Sequence, residues 1–262
     1  MAIGLITGSG TYSAPGESAE PEAIETRFGT AQVTRTELAG VELLHVSRHE
    51  PGHRRLSNHV RHRANISALA ELGARAVLSV TVCGALDPEL DLGSLVVFDD
   101  LHFPSNRLPD GSPCTLYDEP GRPGRGHWIF ERPFSPELRD ALLAGALEAG
   151  LNARDGGCYG HVDGPRFNTR SEIAALAGCG VTAVSQTAGP ETVLCGEAEL
   201  PYALLGYATD YANGIKPEPT PAAELARLIG ASSEAFAAVL AGALPLAAAA
   251  AATPTGVHFR FD

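Results

Sequence analysis

Short, nearly unbroken apolar runs alternate along this chain with segments whose apolar residues recur every three or four positions. Ile3 to Thr7, Ala76 to Val82, Leu95 to Asp99, Tyr159 to Val162 and Tyr202 to Thr209 have the length and β-branched content of buried strands. Gln32 to Glu37 and Val41 to Ser47 alternate instead, and Ala39-Gly40 between them predicts a hairpin. Helical spacing runs from Ala64 to Leu72 with Gly73 as its stop, from Ser135-Pro136-Glu137 to Gly150, over Ser171 to Ala177, from Gly189-Pro190-Glu191 onward, and from Pro221 to Leu244. Strand–helix alternation of this kind predicts one α/β domain, a mixed and mainly parallel β-sheet flanked by helices, over residues 1–246. Residues 247–262 are expected to form a C-terminal tail whose role the sequence does not give. From Leu101 to Arg132 the pattern fails under repeated Pro and Gly, and a loop of that length is functional or lies at an interface.

Two strand ends stand out. Ser79-Val80-Thr81-Val82-Cys83-Gly84 and Ala183-Val184-Ser185-Gln186-Thr187-Ala188-Gly189 each stop at a small hydroxyl residue followed by glycine, where open α/β sheets present ligands. Thr81 and Thr187 are the first anchors. Ile3 to Thr7 leads into Gly8-Ser9-Gly10, whose amides and Ser9 hydroxyl could seat an anion, though a tight turn needs no ligand and Gly-x-Gly-x-x-Gly is not completed. Val41 to Ser47 delivers Arg48-His49, at the head of the basic cluster that ends at Asn65. A strand-end arginine can grip phosphate with two N–H groups, and an adjacent histidine adds a donor. Phe167, in the turn Gly164-Pro165-Arg166-Phe167-Asn168, could stack on a planar ring. Asp210 follows the apolar Leu204-Leu205-Gly206-Tyr207-Ala208 and is a candidate general acid or base-reading group, or simply a turn former.

Composition narrows the chemistry. The formal charge of −12 excludes a nucleic-acid surface, which needs clustered cations to neutralise phosphates. Lys216 is the only lysine, so no Gly-Lys-Ser/Thr phosphate loop exists and arginine must carry any anion binding. Five cysteines in apolar surroundings read as reduced thiols, and the irregular histidine spacing argues against a metal site. No stretch reads as a bilayer span, the run Ala247 to Ala252 being too short, and the N-terminal residues lack a basic leader; a cytoplasmic protein is expected.

Taken in order, Gly-Ser-Gly, Arg-His, Thr-Val-Cys-Gly, Gly-Pro-Arg-Phe, Thr-x-x-Pro-Glu and Ala-Thr-Asp-Tyr resemble the trimeric purine nucleoside phosphorylases, most closely the 5′-methylthioadenosine phosphorylase branch. The match spans about Ile3 to Leu244. The resemblance implies a homotrimer in which inorganic phosphate, as co-substrate and without other cofactor or metal, displaces a purine from the sugar. It implies that Ser9, Arg48, His49, Thr81 and Thr187 hold phosphate, that Asp210 meets the purine N7 and 6-substituent, and that Phe167 stacks on the ring. His127 falls where a neighbouring subunit inserts a residue near the 5′ substituent, and Ala222 and Ala226 fall where the C-terminal helix lines the 5′ pocket. Three positions depart from the pattern. Ala212 stands where the methylthioadenosine branch has a second aspartate, Asn168 where the 6-oxopurine branch has glutamate, and Gln186 where a methionine usually meets the ribose and where glutamine could bond the sugar hydroxyls. A 6-oxopurine or otherwise 5′-modified nucleoside, hydrolysis in place of phosphorolysis, and a non-catalytic nucleoside binder are the other readings.

Overall fold

The structure is a computed structural model that describes residues 2–13 and 20–261. Its order is β1 (Ile3–Thr7), β2 (Glu22–Thr26), β3 (Gly29–Leu38), β4 (Val41–Ser47), α1 (His62–Glu71), β5 (Val77–Ala85), β6 (Leu95–Val97), β7 (Asp100–His102), β8 (Gly126–Phe130), α2 (Pro136–Glu148), β9 (Ala153–Asp155), β10 (Cys158–His161), α3 (Arg170–Gly178), β11 (Val181–Ser185), α4 (Ala188–Glu197), β12 (Tyr202–Tyr211), α5 (Ala222–Ala249) and β13 (Gly256–Arg260). Eleven strands form one mixed sheet among the described residues, and β8 and β13 make a separate antiparallel pair. Strand β5 is its centre, parallel to β1 on one edge and to β12 on the other.

The period-two geometry of strands sorts the core onto two faces. On β5, Val77 and Cys83 join the layer under α1 and α4, while Leu78 and Val80 join the layer under α2 and α5. On β12, Tyr202 and Leu204 face the first layer, Ala203 and Leu205 the second. The caps read from sequence close as expected: the Ser135 hydroxyl accepts from the Leu138 amide at 3.4 Å, and Thr169 with Glu172 forms a capping box on α3. Helices α2 and α5 approach so closely at Gly145 that a β-carbon there would lie 2.7 Å from the Ala243 nitrogen.

One defect in the sheet creates the site. Strand β1 pairs with β5 only as far as Ser79, and the antiparallel β11 takes up the same edge only at Gly84 and Ala85. Between them β5 has no strand neighbour on that edge, and side chains fill in: Arg48 donates to the Val80 carbonyl at 2.8 Å and the Thr81 hydroxyl to that of Val82 at 3.1 Å. Thr81 is therefore mid-strand, beside a gap, rather than at a strand end.

Other expectations shift too. β2, β9 and β13 went unread, and residues 256–260 pair with β8, inside the supposed structureless loop, instead of trailing as a tail. Helix α5 extends to Ala249 and, contrary to expectation, is long and apolar enough by length and composition to cross a membrane, with a mean hydropathy of 1.5 over its most apolar window. Its alanine content had disguised that length. In the fold it is a core helix, burying Leu228, Phe236, Val239, Leu240 and Leu244 against α2 and β12.

Candidate active site

The gap opens into a cavity of about 260 Å³ that gathers Ser9, Arg48, His49, Thr81, Thr187, Phe167, Asn168, Gln186, Asp210 and Ala212 from six separate segments. At its inner end Arg48 is 2 % exposed. Nε donates to Glu191 Oε1 at 2.6 Å, and Nη2 donates to Glu191 Oε2 at 3.0 Å and to Ser79 Oγ at 2.6 Å. The expected bidentate edge therefore faces a carboxylate, not the cavity, because a wholly buried guanidinium needs its own counter-charge. Burial opposes the Arg48 charge, and Glu191 outweighs it, holding the pKa above its ordinary value. Nη1 lies against Gly8, where any β-carbon would collide with it; that contact, and not φ, is what requires glycine there.

His49 departs from expectation in the same direction. Its Nδ1 lies 2.8 Å from the Arg55 carbonyl, which can only accept, so Nδ1 carries the proton. Burial first, and then the Arg48 charge, push its pKa down to about 3. The imidazole is neutral and offers Nε2 as an acceptor, where the sequence had suggested a donor. It stacks on His53 at 4.1 Å, and His53 is bonded in turn to the Tyr12 hydroxyl. Thr187 caps α4 with non-helical backbone, so the positive end of that helix also points here. Ser9 sits in a turn closed by Thr11 N–H to the Gly8 carbonyl, and Gly10, at φ +82°, would put a β-carbon 2.6 Å from the Ile229 carbonyl.

At the outer end a register shift in β12 between Ala208 and Asp210 turns Asp210 toward the cavity. Gly84 opposite leaves it room, since a β-carbon there would stand 3.1 Å from Asp210 Oδ2. Burial raises the Asp210 pKa, against the Thr209 hydroxyl that donates to Oδ1 at 3.0 Å. Phe167 is 60 % exposed and overhangs this end, and the Asn168 carbonyl is held by Asn213 Nδ2 at 2.7 Å. Gln186 does line the cavity, but both amide ends are engaged: Ser57 Oγ donates to its Oε1 at 2.8 Å and its Nε2 donates to the Arg166 carbonyl at 3.0 Å. Each end keeps one further site, a second Oε1 lone pair and a second Nε2–H, so the side chain is fixed in place with capacity left toward the cavity.

Ala222 and Ala226 are not in the cavity. Both are exposed, and α5 presents Leu225 and Ile229 instead, one turn apart. The register expected for this helix was three residues off. His127 is exposed on β8, packed edge-on to Phe261, and does not line its own chain's cavity.

The sequence profile described as "Phosphorylase superfamily" matches residues 2–245. The chain belongs to that family. It is 32 % identical over 249 residues to a 6-oxopurine nucleoside phosphorylase of Pyrococcus furiosus, covering 93 % of this chain and 92 % of that one. It is 34 % identical over 215 residues to a probable S-methyl-5′-thioinosine phosphorylase of Methanopyrus kandleri, covering 81 % and 80 %. A methylthioadenosine phosphorylase from Schistosoma mansoni, solved with adenine, superposes with a TM-score of 0.86 at 25 % identity, over 95 % and 92 % of the two chains.

This nucleoside phosphorylase, a pentosyltransferase, carries residues in its cavity that the sequence reading passed over. His53 and Ser57 lay in the basic cluster without being singled out, Gly84 and Thr209 flank the anchors, and Leu225 and Ile229 required the true helix register. Glu191 had been read only as an acid near a helix start; nothing in its local spacing shows that it meets an arginine 143 residues away.

Proposed function

We propose that this phosphorylase cleaves a purine nucleoside with inorganic phosphate, that its preferred substrate is a 5′-deoxy-5′-alkylthioadenosine such as 5′-methylthioadenosine, and that it acts as a homotrimer. The supporting observation is an apolar pair, Leu225 and Ile229, in the wall of a cavity that also holds Asp210, whose pKa burial raises. A thioether substituent fits such a wall, whereas a 5′-hydroxyl would lose its hydrogen bonds there.

In this reading phosphate sits among Ser9, Arg48, His49, Thr81 and Thr187, and the purine lies between Phe167 and Asp210. A phosphate oxygen forms its bond to C1′ as the C1′–N9 bond breaks, through a sugar with oxocarbenium character. The bonding pair leaves with the purine, and Asp210 donates its proton toward N7, so the base departs neutral. The products are the free purine and a pentose 1-phosphate. His127 supports the trimer: it is exposed and outside its own cavity, as a residue serving a neighbour's site would be.

A second reading, a 6-oxopurine substrate, is favoured by Ala212, an apolar residue beside the base end where a second carboxylate would read a 6-amino group, and by the Pyrococcus furiosus relative. Purine release from 6-amino and 6-oxo nucleosides, with and without 5′-thio groups and with and without phosphate, tests both. Phosphate-dependent release fastest from methylthioadenosine is the expected result; faster release from 6-oxopurines selects the second reading, and release without phosphate removes both.

A further inference from the structure

Arg48 has five N–H donors, and the fold accounts for four of them. Nε and Nη2 spend three on Glu191 and Ser79, and Nη1 spends one on the Val80 carbonyl. One N–H remains, on the nitrogen pressed against Gly8 at the Ser9 turn. Glu191 is itself gripped from behind, by the Ser79 hydroxyl at 2.9 Å and the Tyr202 hydroxyl at 3.1 Å, both donating to Oε2. All four side chains are buried.

We propose that Glu191, held by Ser79 and Tyr202, is a positioning residue for the phosphate subsite: it turns Arg48 so that a single Nη1–H, and not the bidentate edge, meets the anion. This rests on the phosphorolytic reading above. Two consequences follow from the geometry. The carboxylate neutralises the guanidinium, so the anion is held by directed donors and the α4 N-terminus more than by net charge. The guanidinium is also locked before phosphate arrives, which removes the cost of ordering a long side chain on binding.

The test separates phosphate from nucleoside. In Glu191→Gln the amide nitrogen cannot accept from Arg48, one leg of the fork is lost, and the guanidinium is free to swing. Direct calorimetric binding of inorganic phosphate, and KM for phosphate at saturating nucleoside, should weaken at least tenfold, while nucleoside affinity measured without phosphate stays within twofold. Tyr202→Phe, which deletes one bond to Oε2 and keeps the ring, guards against misfolding: it should raise KM for phosphate two- to fivefold with kcat unchanged. Wild-type phosphate affinity retained in Glu191→Gln, or phosphate and nucleoside affinity lost together in the folded Tyr202→Phe protein, overturns the proposal. Wild-type protein that binds no phosphate removes the phosphorolytic reading itself, and this inference with it.

Discussion

The two ends of the cavity are built on opposite principles. At the inner end, the proposed phosphate site, Arg48, Glu191, Ser79 and Tyr202 are all buried, and every one of them is bonded to another member of the group. At the outer end, where the purine is proposed to lie, Phe167 is mostly exposed, the Asn213 side chain donates to the Asn168 carbonyl, and the Asp210 carboxyl accepts from its neighbour Thr209. In a buried network a substitution is felt by its partners, because each lost partner leaves a desolvated group short of a bond. A loop-built pocket can change one residue at a time. On the proposed assignment the chemistry sits where the fold is rigid and the contacts to the nucleoside where it is not; the similar proteins carry names that differ in the nucleoside and share the phosphorylase reaction.

The sharpest way to break this contrast is Arg48→Met. It should strand the Glu191 carboxylate and cost about 3–5 kcal/mol of stability in denaturant unfolding, along with phosphate binding. Asp210→Asn, at the adaptable end, should leave the unfolding midpoint near wild type and lower kcat for 6-amino nucleosides about 100-fold, with a smaller loss for 6-oxopurines. Equal losses on both would deny Asp210 its role in reading the base.

The proton on Asp210 adds a pH signature. Because the folded state holds that proton more tightly than the unfolded chain does, stability falls as pH rises from the ordinary aspartate value through the raised one, and kcat/KM falls with it as the acid ionises. Both slopes should vanish in Asp210→Asn. Leu225→Ala and Ile229→Ala should each lower kcat/KM for methylthioadenosine roughly tenfold and for adenosine much less. The smallest effect belongs to Gln186→Met, roughly threefold or less in nucleoside KM, because the side chain's bonds in the fold go to Ser57 and Arg166, outside the anion cluster.

What could be read from sequence followed the range of the forces involved. Strand β5, the Ser9 turn, Arg48-His49 and Asp210 lie within short apolar-to-polar transitions, and local pattern was enough to single each of them out; only the resemblance to the purine nucleoside phosphorylases joined them into one site. The direction in which Arg48 points was not local: its partner is on α4, and only the folded sheet brings the two face to face. The register of α5 failed for a different reason. So many of its residues are alanine that its apolar stripe has weak contrast, and Leu225 with Ile229 can be mistaken for the neighbouring faces. Strand β13 left a signal in the alternation of Val257, His258, Phe259 and Arg260, the period of a strand, although in the fold Val257 and Phe259 are exposed.

The break in the edge of β5 has a consequence for motion as well as chemistry. Amides that face β12 are locked along the whole strand, but between Val80 and Cys83 those facing the gap have only side chains, or a bound anion, to shield them. In the empty enzyme these protons should exchange with solvent faster than those of Val77 to Ser79 in the same strand, and phosphate should slow them selectively. The most central strand of the molecule would then also be its most ligand-responsive, its protection completed by the substrate.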